Sequence, residues 1–186
     1  MGVRRLGIVV CGGPAPGINA VIGSATIEAI NQGFEVVGFY DGFKWLCSDV
    51  FDADAHTTRL EIRSVARIHF DGGSVLRIAR ANLLDEASVA KGGPVQPDEA
   101  KLRRVLDRFR DLAITHLMTI GGDDTALSAR FISEAAERSI RLVHVPKTID
   151  NDLMVNDHTP GFPSAAKFVA NAFSGVGLDN IALPGV

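Results

Sequence analysis

A chain of 186 residues is the size of one ordinary domain and can bury a core without metal or disulfide staples. Apolar residues at 46% and charged residues at 22% exclude a disordered or fibrous protein, and a net charge of −3 supplies no positive field to gather nucleic acid or an anionic membrane. Cys11 and Cys47 are too few for a disulfide framework and lack zinc-ligand spacing, which predicts a reducing, cytosolic setting.

Residues 6–11 form a short β-branched run that is too brief for a signal-peptide core, and nothing later reaches the roughly 20 apolar residues of a membrane span. The run reads as a buried parallel strand, stopped by Gly12-Gly13-Pro14-Ala15-Pro16-Gly17. Apolar positions then recur at helical spacing over 19–32, Gly33 ends the pattern, and 34–40 reads as the next strand. Residues 41–93 are irregular, with Asp and Gly punctuation, and predict loops or a hairpin. A second unit follows: an amphipathic helix over 97–111, a strand at 114–120, a helix to 138 and a strand at 141–145. After Asp150 the segment 153–161 is turn-rich and 164–173 predicts a helix. The alternation implies an α/β fold, a mostly parallel sheet with helices on both faces.

Three junctions carry chemistry. Gly12-Gly13 aims backbone N–H groups and a helix N-terminus at the carboxyl edge of the sheet, which suits a phosphate; the same turn also serves purely structural roles. It is neither GxGxxG nor a P-loop. Gly121-Gly122-Asp123-Asp124-Thr125 places two carboxylates at a helix start, where one is explained by capping and a second suggests magnesium held with substrate phosphates. Lys147-Thr148-Ile149-Asp150-Asn151-Asp152 gathers a lysine, a hydroxyl, an amide and two carboxylates at the same edge, either as a solvated turn or as a site with a general base.

GGPAPGINAVI over 12–22, GGSVLRIAR over 72–80, GGDDT over 121–125, PKTIDND over 146–152 and TPGFPSA over 159–165 resemble the phosphofructokinase family in order and spacing. The resemblance implies a Rossmann-like lobe that transfers a phosphoryl group to the 1-hydroxyl of fructose 6-phosphate with Mg2+. It implies Asp150 as the base, Thr148 and Ile149 beside it at the sugar phosphate, Asp152 in support, Asp123 as the magnesium ligand, Gly12 at the donor and Arg80 between the phosphates of both substrates. ATP-using members commonly carry glycine at the positions of Asp124 and Lys147, and the pair present here resembles that of pyrophosphate-dependent members. A carboxylate at Asp124 opposes the α-phosphate of ATP: like charges ~4 Å apart repel by about 4 kcal/mol at an effective dielectric near 20. Lys147 offers its ammonium to the smaller donor. Pro14 stands where many ATP-using members have Asp, and Arg77-Ile78 replace small residues.

The expected substrates are therefore pyrophosphate and fructose 6-phosphate, with neither nucleic acid nor membrane as a partner, and a homo-oligomer when full-length. The expected organisation is a donor and magnesium lobe over 1–150 and the start of a sugar-phosphate lobe over 151–186. The alternatives are an ATP-dependent phosphofructokinase and a non-catalytic fragment or interaction subunit. After Phe173 there is no Met-Gly-Arg segment, and residues 181–186 are apolar and read as the approach to another strand, so the 186 residues alone are expected to be incomplete and inactive.

Overall fold

The computed structural model describes residues 4–182. In chain order the elements are β1 (Arg4–Val10), α1 (Ile18–Asn31), β2 (Phe34–Phe39), α2 (Phe43–Cys47), α3 (Ala53–His56), β3 (Thr57–Leu60), α4 (Ile62–Val65), α5 (Glu86–Ala90), α6 (Glu99–Asp111), β4 (His116–Gly121), α7 (Asp123–Ala135), β5 (Arg141–Pro146) and α8 (Phe162–Ala182), with one 3-10 turn at Ile68–Phe70.

The sheet order is β3-β2-β1-β4-β5. β1 runs parallel to both β2 and β4, and β4 runs parallel to β5. Strand order thus reverses between β1 and β4, which opens a crevice at their carboxyl ends. β1 lies in the middle and its residues alternate between two cores. Ile8 and Val10 pack with Ile18 and Ile22 of α1, while Val9 packs with Phe109 of α6 and Ile132 of α7. Covering both faces is why the run has no polar alternation. α6 starts on Asp98, whose carboxylate accepts from the N–H groups of Ala100 and Lys101.

Residues 41–93 do not make a tight hairpin. α2 and α3 intervene before β3 returns antiparallel to β2, pairing Phe39 with Thr57 and Val36 with Leu60. The helix expected over 164–173 is longer, running through Gly175 and Gly177 to Ala182, and none of its residues is buried. Of residues 181–186, read as the approach to another strand, Ile181 and Ala182 instead end α8, and 183–186 lie outside the described residues. Among the described residues no helix is long and apolar enough to cross a membrane.

Candidate active site

The carboxyl ends of β1, β4 and β5 bring the three glycine- and aspartate-bearing loops together. The backbone N–H of Cys11 donates to the carbonyl of Ile120 at 2.9 Å, that of Gly12 to Ala79 at 3.1 Å, and that of Lys147 to Gly121 at 2.8 Å. Gly12 has φ +91, and a Cβ placed there would stand 3.5 Å from the Lys147 ammonium and 3.9 Å from the Gly122 nitrogen. Glycine is thus favoured by its left-handed backbone conformation, while the Cβ distances are those of ordinary contact with the ammonium.

Lys147 is 3% exposed and donates its ammonium to the Gly13 carbonyl. Burial lowers its pKa, opposed by Cys11 and by the carboxylate of Asp150. The cation is therefore sunk beneath the β1 loop rather than waving in solvent. Thr148 donates its hydroxyl to Asp152 at 3.0 Å and accepts from the Asp150 N–H at 3.2 Å, so the base candidate sits on a turn closed by its own neighbours. Asp150 is exposed, as is Ile149 at 44%.

Asp123 and Asp124 share the first turn of α7 but line different clefts. Asp124 borders a cleft of about 420 Å³ with Arg80, Asn82 and Lys101. Asp123 borders one of about 340 Å³ with Asp152, Pro146 and His144. The Ala79–Cys11 bridge carries Arg80 to the β1 loop, and Arg80 is exposed there. Arg77 adopts φ 57 and stacks on Tyr40 at 4.5 Å with Asp41 at 3.4 Å, so the departure at this position is accommodated by a left-handed backbone.

Among the described residues no three His, Cys, Asp or Glu side chains stand close enough to hold a metal by themselves. An exposed Asp123 at a helix start fits magnesium, which keeps waters and completes its shell with substrate phosphates.

Several residues of the site escaped sequence reasoning. Asn19, 2% exposed, donates to the Asp71 carbonyl at 3.0 Å and accepts from the Val75 N–H at 2.9 Å, which pins the loop leading to Arg80. Thr159 donates to the Thr148 carbonyl at 2.7 Å and fixes the loop of Asp150 from behind. His144 pairs through Nδ1 with Thr119 at 2.9 Å, its Nε2 is buried without a partner, and burial lowers its pKa. Only the β4–β5 register, which sets Thr119 against His144, could have signalled the last.

A doubly wound α/β lobe with glycine loops, a buried lysine and exposed carboxylates at its switch point is the architecture of a phosphate-handling protein. The chain belongs to the phosphofructokinase family, whose model, described as Phosphofructokinase, matches residues 5–180. It is 48% identical over 159 residues to a pyrophosphate–fructose 6-phosphate 1-phosphotransferase of Thermotoga maritima, covering 86% of this chain and 34% of the relative. It is 44% identical over 171 residues to the protein of that name in Naegleria fowleri, covering 91% and 36%. An ATP-dependent 6-phosphofructokinase 2 of Clostridium perfringens is 33% identical over 173 residues, covering 91% and 44%. The chain spans about a third of the length of the first two relatives. The crystal structure of a pyrophosphate-dependent phosphofructokinase from Marinobacter aquaeolei shares the fold, with a TM-score of 0.75 at 22% identity, covering 95% of this chain and 42% of that one.

Proposed function

We propose that this chain supplies the donor side of a magnesium-dependent phosphoryl transfer from pyrophosphate to the 1-hydroxyl of fructose 6-phosphate. The observation that carries the reading is Lys147, a buried ammonium held at Gly13 and 3.5 Å from where a Gly12 Cβ would be. Such a cation neutralises a compact, highly charged donor without waiting for solvent to reorganise. Similarity to the pyrophosphate-using relatives points the same way.

In this reading backbone N–H groups of the Gly12 loop seat the donor, Arg80 bridges the two substrates, and Asp123 holds the magnesium. The metal, when bound, neutralises phosphoryl oxygens as charge shifts to the leaving group. Asp150 takes the proton of the sugar hydroxyl, and Thr148, Ile149 and Asp152 shape the surface on which that hydroxyl is oriented. Asp124 meets any donor longer than pyrophosphate with a negative charge.

The test is calorimetric titration of pyrophosphate with magnesium into the parent and into Lys147→Met. Loss of about tenfold or more in affinity, 1.4 kcal/mol, is expected. Equal affinity would remove Lys147 from the donor site and the reading with it.

A further inference from the structure

The carboxylate of Asp124 occupies the first turn of a helix whose start, Gly122, provides no side-chain cap. Folding back onto the free backbone N–H groups is the role of the N-cap side chain, which glycine lacks, and Asp124 stands two residues beyond that position. Here it reaches sideways instead: the Asn82 amide nitrogen donates to Asp124 Oδ2 at 3.4 Å, across the cleft that Arg80 and Lys101 also border. The orientation of that amide is set by its other end, because Asn82 Oδ1 accepts from the Leu84 N–H at 3.2 Å and so turns the NH2 group towards Asp124. Next along the chain, the Leu83 N–H donates to the hydroxyl of Ser128 at 3.1 Å, and that hydroxyl donates to the Asp124 carbonyl at 2.8 Å. Leu83 and Ser128 are fully buried. The loop after Arg80 and the first turns of α7 are therefore laced together at two points, both ending on Asp124.

We infer that Asn82 is a positioning residue for donor selection: its amide holds the Asp124 carboxylate across the mouth of the cleft, where a donor extending beyond pyrophosphate would pass. The inference rests on the donor reading above. The chemistry of the partner matters as much as its place. A lysine or arginine in this position would fix the carboxylate but cancel its charge, whereas a neutral amide fixes it and leaves the full negative charge facing the ligand. The acidic group then costs pyrophosphate little, since that donor ends before reaching it. It opposes an α-phosphate.

Dissociation constants for pyrophosphate and for a non-hydrolysable ATP analogue bridged by nitrogen between its β and γ phosphorus atoms, both with magnesium, give a discrimination ratio for each variant. Asn82→Ser keeps an oxygen for the Leu84 N–H and removes the amide donor. It is expected to lower the ratio about tenfold, through tighter analogue binding at nearly constant pyrophosphate affinity. Asn82→Lys, which retains a donor but neutralises the charge, is expected to lower it at least as far. In an Asp124→Gly background Asn82→Ser is expected to change nothing further. Thermal melts confirm that each variant is folded, and Asn82→Ala replaces Asn82→Ser if the latter is not. A ratio within twofold of the parent for a folded Asn82 variant, with Asp124→Gly lowering it, overturns the inference alone. An unchanged ratio in Asp124→Gly, or no binding of either donor to the parent, overturns the donor reading and this inference together.

Discussion

Thr159 closes the loop of Asp150 from behind: its buried hydroxyl donates to the Thr148 carbonyl at 2.7 Å, while its N–H donates to Asn151 Oδ1 at 2.9 Å. Replacing Thr159 by Val conserves shape and leaves the Thr148 carbonyl without that partner. A loss of about 1–3 kcal/mol in unfolding free energy is expected from denaturant titration. Loosening this turn also predicts weaker sugar-phosphate binding, read as a raised KM in any preparation that turns over.

A Cβ on Gly161 would lie 2.5 Å from the Pro16 carbonyl oxygen and 3.0 Å from the Ala15 Cβ, at φ +104. Gly161→Ala therefore forces apart the TPGF loop and the loop after β1. Destabilisation of about 1–3 kcal/mol is expected for the backbone conformation alone, measured by thermal melting. A melting curve matching the parent would show that the two loops do not press on each other.

Asp150→Ser is expected to preserve the fold, because the side chain is exposed. As a positioned base it predicts a fall in kcat of ~10²–10⁴-fold with a smaller change in KM. Steady-state kinetics in a preparation that turns over reads this directly, and near-parental kcat would assign the proton to another group.

Burial pushes the Cys11 thiol up to about 12 and that of Cys47 up to about 11, from an unfolded value of 9.0. Both shifts are upward, so the unfolded chain loses these protons first. The stability they leave intact below pH ~9 is lost as pH rises towards the folded values, by at most ~1.36 kcal/mol per pH unit for each thiol. Lys147, shifted downward, works in the opposite sense over its own window. The comparison that isolates the thiols is urea unfolding of Cys11→Ala and Cys47→Ala against the parent at pH 8 and pH 10. The variants are expected to lose less stability over that interval.

What the sequence disclosed was local. Gly12-Gly13, Gly121-Gly122 and the Lys147–Asp152 segment each end a strand whose apolar run is unmistakable, so their meeting at one sheet edge follows from parallel topology. β3 was not legible, because four residues, Thr57–Leu60, carry no periodicity and their antiparallel pairing is dictated by β2. The length of α8 was hidden by Gly175 and Gly177, each a cost of about 1 kcal/mol in a helix. Asn82, Ser128, Asn19 and His144 were missed for a different reason: each acts on a partner at least 25 residues away, besides the local Ser128–Asp124 and Asn82–Leu84 links, and spacing in sequence cannot show this.

The measurement that bears most directly on the central claim, that this edge of the sheet is built for pyrophosphate, is a paired calorimetric titration of the unaltered chain with pyrophosphate and with ATP at one magnesium concentration. Pyrophosphate is expected to bind about tenfold or more tightly than ATP. ATP binding as tightly as pyrophosphate, or more so, would contradict the claim.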